Sequence, residues 1–302
     1  MVWHMIAFGC SMSDPELYVR WAKPGIERAK EPDSKVFAIQ AAGPINRSYN
    51  LIVDKAAELP ELEALVLVHQ DAEIVDPDFC SKLRAALADP DVGLVGCVGS
   101  SGAPGIAWWE GEVSGGGSAV CCYGELGGGE IPAVAFGGEA TAGGPRAGEV
   151  DTLDGFVLVL SPWAVRTLRF DESLGFLYGH DFDFCRQVCE AGKRVITADL
   201  AVRHHHSLQL VSDNEPWIAA HIRTAEKWGC SQADWKATAR RAEAEAALAR
   251  LTVLSKEMQR DAQDAKFESQ LLEITRSSSW RITEPLRRMN DWRRRLAKRL
   301  VL

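Results

Sequence analysis

Short, unbroken apolar runs alternate with longer amphipathic segments through the N-terminal two thirds of the chain. Val2 to Gly9 (VWHMIAFG), Lys35 to Gln40 (KVFAIQ), Ala64 to His69 (ALVLVH) and Val92 to Val98 (VGLVGCV) are such runs. They are short and end abruptly in polar residues, which predicts strands buried on both faces. Helical patterns fill the gaps: one runs toward Ala29, one is capped by Ser48 and continues to Leu59, and one covers Pro77 to Leu87. The order β-α-β-α-β-α-β predicts an α/β fold, a Rossmann-like and mainly parallel sheet flanked by helices. Ligands in such sheets bind at the carboxyl ends of the strands, so the polar residues closing each run are the first places to look for chemistry.

The texture changes between Gly99 and Gly148, where Gly115-Gly116-Gly117, Gly127-Gly128-Gly129 and Gly143-Gly144 lie among aromatics. That predicts irregular hairpins forming part of a site wall. Order resumes at Asp154 to Leu168 (DGFVLVLSPWAVRTL), a strand turning into a helix started by Pro162. A helix over Asp181 to Ala191 and a strand over Arg194 to Val202 follow, and the strand leads into His204-His205-His206. Beyond Asn214 only helical patterns occur, in Ile218 to Gly229 and Ser231 to Ser269. The expected division is a catalytic domain over residues 1–212 and a helical extension over 213–302.

Charge sharpens this picture. The net charge is -8, yet from Arg276 to the end nine Lys or Arg face two acids, so the rest of the chain carries -15. An acidic body speaks against nucleic acid as a partner, while a basic tail suits docking. The spacing of Ile282, Leu286, Met289, Trp292, Leu296 and Leu300 predicts an amphipathic basic helix, interrupted by Pro285. Residues 280–302 could lie on an anionic membrane surface or fold back on an acidic protein surface. No apolar run reaches membrane-spanning length, and eight cysteines in apolar or helical contexts suit a reducing compartment. The expected location is cytoplasmic, with peripheral membrane contact open.

Four polar clusters are candidates for chemistry. His69, Asp71 and Glu73 alternate after the third strand and can converge on one ligand, a hard divalent cation among them. The segment Gly179-His180-Asp181-Phe182-Asp183 places two acids in the first turn of a helix, one expected toward a cleft and one toward backbone. Of His204, His205 and His206, alternation forbids all three from facing one way. Asp154-Gly155 combines a carboxylate suited to sugar hydroxyls with a residue that permits close approach. The chain lacks GxxxxGK[ST], a GxGxxG after a strand, and GxSxG. Phosphate would therefore be handled through a metal.

The segments INRSYNLIVDKAAEL, LEALVLVHQDAEI, DTLDGFVLVLSPWAVRTLRFDESLGFLYGHDFDFCRQVCEAGKRVITADLAVRHHHS and SSSWRITEPLRR, in this order, resemble GT-A fold glycosyltransferases, family 2-like, of the streptomycin-biosynthesis StrF-domain group. The resemblance implies a nucleotide-sugar donor whose diphosphate is held by Mn2+ or Mg2+. Its metal motif falls on His69-Gln70-Asp71, with only the final acid matched. It further implies Asp181 as the catalytic base, His180, Asp154 and Gly155 near the acceptor or sugar, and Asn50 and Asp54 either as weaker donor-side candidates or as packing and capping residues. Asp71 would be a metal ligand together with His204 or His206. The expected reaction is inverting sugar transfer to a saccharide, lipid-linked or protein acceptor in glycan or glycoconjugate synthesis. A non-catalytic saccharide-binding protein and a metal-dependent nucleotidyltransferase are the alternatives.

Overall fold

The computed structural model describes residues 5–41, 43–122, 129–137, 147–175, 177–205, 214–229 and 237–283. The chain divides into two compact units, Met1–Ser255 and Lys256–Leu302. The first unit opens with β1 (Met5–Met12), α1 (Pro15–Leu17), a π-helical turn (Tyr18–Ala22), α2 (Lys23–Ala29), β2 (Val36–Gln40) and α3 (Ile45–Ala57). Next come β3 (Leu62–Val68), β4 (Ala72–Ile74), α4 (Phe79–Ala86), β5 (Val92–Gly96) and β6 (Val98–Ser101). The glycine-rich stretch contributes β7 (Glu112–Gly115), β8 (Val120–Cys122) and β9 (Glu130–Pro132). They are followed by β10 (Glu149–Val150), β11 (Thr152–Leu153), β12 (Val157–Leu160), α5 (Pro162–Thr167), α6 (His180–Glu190), β13 (Arg194–Thr197), β14 (Val202–His204) and α7 (Glu215–Trp228). The long helix α8 (Ala237–Arg276) begins in the first unit and ends in the second, which also holds α9 (Ser278–Ile282).

The main sheet has seven strands in the order β10-β13-β5-β12-β3-β1-β2. It is mixed, which corrects the expectation of a mainly parallel sheet: β12 runs antiparallel to both β3 and β5, and β10 antiparallel to β13. The reason lies in the connection. A parallel partner needs a crossover that returns the chain to the end where the previous strand began. After β5 the chain instead stays at the carboxyl end, building the small sheet β11-β6-β7, and enters β12 from there. Val157 consequently pairs with Val68, so Asp154 and Gly155 reach the same edge as His69 and Asp71.

Both sheet faces are covered. Ala7, Leu65, Leu67, Leu94, Leu158 and Leu160 pack with Tyr49, Ile52 and Val53 of α3, Ala164 and Val165 of α5, and Phe184 and Val188 of α6. Phe8 alternates to the opposite face and meets Phe79 of α4, ring centroids 6.3 Å apart. Each buried Leu or Phe is worth about 1.5–3 kcal/mol. Two boundaries differ from the pattern reading. Helix α3 starts at Ile45 behind Pro44, which leaves Ser48 buried inside it. The last strand of the main sheet stops at Thr197, because Asp199 turns aside to accept the Ser118 N–H at 3.0 Å. Val202–His204 then joins a second small sheet, β4-β14-β8-β9.

Cys185 is buried in the core cluster and its neighbour Cys189 packs partly against it, as small hydrophobes. Among the described residues no helix is long and apolar enough to cross a membrane. Residues 284–302, most of the basic tail, lie outside the described residues.

Candidate active site

A cavity of about 450 Å³ opens at the carboxyl end of β1 and β3. One end is formed by Ser11, Ser13, Asp14, Ala41 and Gly43, which follow or close β1 and β2; its middle holds His69, Asp71, His204, Asp154, His180 and Asp181. The far end is apolar and carries Ile106, Trp108, Trp109, Leu177, Trp217 and Leu251.

The end of β3, the turn into β4, and β14 paired with β4 make the central cluster. His69 leaves β3 with its N–H on the Phe156 carbonyl at 3.0 Å, and the β3–β4 turn presents Asp71. His204 pairs with Ala72 across β14 and β4, and the His205 N–H donates to the Asp71 carbonyl at 2.8 Å. One ligand atom each from His69, Asp71 and His204 lies within 4.8 Å of the others. The His204 ring stacks on Phe156 at 4.7 Å, whereas His205 points away, stacks on Trp21 at 3.5 Å and approaches Glu73. Strand alternation thus separates the two histidines as expected, while His206 lies outside the described residues.

One ring of the cluster is ready to take a cation, and another holds a proton that a bound cation would have to displace. Burial pushes His69 down to about 3, so its ring is neutral with a lone pair to offer. Burial opposes charge on Asp71 and His204 alike, but their mutual attraction outweighs it, lowering the carboxyl and raising the imidazole well above its usual value. The two approach only to 3.7 Å, beyond a hydrogen bond. Nε2 of His69 and Nδ1 of His204 are buried without a protein partner. Two nitrogens and a carboxylate, with orphaned ring atoms, form a donor set able to hold a divalent cation.

Asp181 sits at the second position of α6, behind Gly179 at φ 85°. Its carboxylate accepts the Gly155 N–H at 3.0 Å and the Phe182 N–H at 2.8 Å, and still faces the cavity. Asp183 turns the other way and is buried. It accepts from Trp228 and Gln187 at 2.8 Å each and pairs with Lys227 at 2.6 Å. The expected division of the two acids between cleft and interior is present, although the inner acid holds side chains rather than backbone. Burial pushes Asp154 up to about 6; His204 opposes that rise and Asp181 adds to it. His180 is buried, with Nδ1 2.9 Å from the Leu177 carbonyl and Nε2 unpartnered.

Of three residues expected near the donor, Gln70 lines the cavity and also braces its edge, while Asn50 and Asp54 tie down a neighbouring segment. Gln70 accepts the N–H groups of Ser13 and Asp14 at 2.8 Å each and donates to the Ser13 hydroxyl at 2.9 Å, so it clamps the loop after β1. Asn50 exchanges hydrogen bonds with the Phe170 backbone and Asp54 pairs with Arg169 at 2.9 Å. Neither lines the cavity. The pattern reading missed Trp108, Trp109, Trp217 and Leu251 as wall residues. The Trp pair inside a glycine-rich stretch was a usable signal; Leu251, in an Ala-rich helix, offered none.

This α/β fold carries, at the carboxyl end of its strands, a cavity lined by carboxylates and histidines, three of which could hold a cation. Over residues 12–236 the chain matches, and belongs to, the glycosyltransferase-like family, GT-A-like and related to family 2. It is 29% identical over 222 residues to the streptomycin biosynthesis protein StrF of Streptomyces griseus, covering 72% of this chain and 73% of that one. Among solved structures it is similar to a mannosyltransferase from Pyrobaculum calidifontis in complex with GDP-Man and Mn2+, at 12% identity and TM-score 0.46, over 92% and 82% of the two chains. A structure of GalNAc-T7 with UDP, GalNAc and Mn2+ aligns at 11% identity and TM-score 0.46, over 74% of this chain and 48% of that one.

Proposed function

We propose that the protein moves a sugar from a nucleotide-diphosphate-sugar donor to an acceptor hydroxyl with inversion at the anomeric carbon. The observation that carries this reading is the convergence of His69, Asp71, His204, Asp154 and Asp181 in one cavity of a glycosyltransferase-like chain. The donor lies toward the ends of β1 and β2. His69, Asp71 and His204 would hold Mn2+ or Mg2+, which when bound supplies Lewis-acid stabilisation of the departing nucleotide diphosphate.

Asp181 takes the proton from the acceptor hydroxyl, and the N–H groups of Gly155 and Phe182 hold its carboxylate in place. General-base help of this kind is worth about 10²- to 10⁴-fold. Asp154 and His180 bind sugar hydroxyls. The acceptor is a saccharide, a lipid-linked saccharide or a protein, in glycan or glycoconjugate synthesis. Residues 280–302 contact an anionic membrane surface; retention on anionic liposomes that survives removal of residues 277–302 would sink that part.

A thermal-shift panel of UDP-, GDP- and dTDP-sugars, with and without Mn2+, tests the central claim on the intact protein and on Asp71→Ala. Ligand bound only to the native state raises its stability by mass action. A selective, metal-enhanced shift that disappears in the variant is expected. No shift with any donor overturns the reading.

A further inference from the structure

The far end of the cavity is built unlike its middle. Trp109 stacks on Trp217 at 5.5 Å, donates its indole N–H to the Ala247 carbonyl at 3.4 Å, and meets Trp108 edge-on at 6.0 Å. Leu177 lines the same cavity, directly precedes the run Tyr178-Gly179-His180-Asp181, and is 39% exposed. Gly179 itself is pressed against the wall: a Cβ there would lie 3.6 Å from Cγ2 of Ile106 and 2.9 Å from Cγ2 of Thr224. The apolar surface therefore continues into the turn that presents Asp181. Sugar hydroxyls seated against aliphatic and indole carbon would lose hydrogen bonds to water without replacement, at a cost, whereas hydrocarbon gains there.

Resting on the transferase reading above, we propose that the acceptor hydroxyl arrives on a molecule whose adjoining portion is apolar, an alkyl or aryl group seated against Ile106, Trp108, Trp109, Leu177, Trp217 and Leu251. The wall selects the acceptor by that group while the polar middle of the cavity handles the donor. Loops from the glycine-rich stretch, the segment before α6, α7 and α8 each contribute, so the chamber forms only when these four regions pack together.

Methyl, butyl, hexyl and octyl β-D-glucopyranosides, each below its micelle concentration, are titrated calorimetrically into the full chain with Mn2+ present, and tryptophan emission is followed in parallel. Affinity is expected to rise roughly three- to four-fold per methylene until the chamber is filled, with a shift in emission. Leu177→Asn, at a partly exposed position, and Trp108→Leu are each expected to flatten the series; the first keeps the test decisive should the second fail to fold. Affinity independent of chain length, or a rise unchanged in both variants, overturns the inference. The donor panel is run on the same preparations. A flat series with an intact donor shift removes the apolar subsite and leaves the transferase reading standing. A rising series with no donor shift overturns the assignment to an acceptor.

Discussion

The backbone N–H of Gly155 donates to the Asp181 carboxylate at 3.0 Å, and a Cβ at Gly155 would lie 2.9 Å from both Cβ of Asp181 and Nε2 of His180. Glycine is required at this position by contact with the α6 turn. Gly155→Ala is expected to displace Asp181, cost about 1–3 kcal/mol of stability and lower kcat more than the affinity for donor. Chemical denaturation alongside steady-state kinetics measures both, and unchanged kcat would show that the carboxylate does not need this seat.

Asp181→Asn preserves the shape and removes the proposed base. Transfer should fall by about 10²- to 10⁴-fold while the thermal shift with donor and Mn2+ stays as in the parent. A variant that retains full kcat would move the base elsewhere.

His69→Ala and chelation by EDTA should have the same effect, loss of the metal-enhanced part of the donor shift with the metal-free part retained. Titration of Mn2+ followed by electron paramagnetic resonance reads this directly. Undiminished Mn2+ binding in the variant would exclude His69 from the ligand set.

His221 is buried on Trp217, ring centroids 5.2 Å apart, and burial lowers its pKa to about 4. In the unfolded chain it titrates near 6.5. The unfolded state then binds the proton more tightly, so stability is lost as pH falls from about 6.5 toward 4, by at most about 1.4 kcal/mol per pH unit. Melting temperatures between pH 7 and pH 4 should decline less steeply in His221→Phe than in the parent. Equal slopes would show that another group carries the acid sensitivity.

Asp183, itself buried, joins α6 to α7 through Trp228 and Lys227 and also accepts from Gln187 one turn on along its own helix. Asp183→Ala leaves the Trp228 indole N–H without its acceptor, while Lys227 keeps Asp171 and Gln187 keeps the Arg169 carbonyl, and is expected to cost about 1–3 kcal/mol, read by urea unfolding. A loss under 1 kcal/mol would mean that α7 is held chiefly by its apolar face.

Much of the frame was legible because its signals are local. LVLV in β3 and LVL in β12 are buried on both faces, and continuous apolar runs announce such strands wherever they occur. The polar residues closing β3, His69 and Asp71, were candidates by the same logic; Asp154 was singled out as a carboxylate beside a glycine at the start of β12, and the resemblance led to Asp181. Asn50 and Asp54 stayed open between donor contact and packing because polar residues on a helix look the same in sequence whether they face a ligand or tie down a neighbouring segment. Here their partners, Phe170 and Arg169, are more than a hundred residues away.

The pattern of apolar runs by itself determined the α/β class, the positions of the principal strands and the pool of acids and imidazoles from which a site could be drawn, since side-chain periodicity and burial are properties of short segments. Tertiary structure alone decided the direction of β12, and with it the meeting of Asp154 with His69 and Asp71. It also decided that His204 turns inward onto Phe156 while His205 turns outward onto Trp21. The apolar chamber, drawn from positions as distant as Ile106 and Leu251, was settled at the same level. Each of these depends on which segments pair across long separations, and that pairing is governed by the summed burial of the whole core rather than by any stretch of sequence read alone.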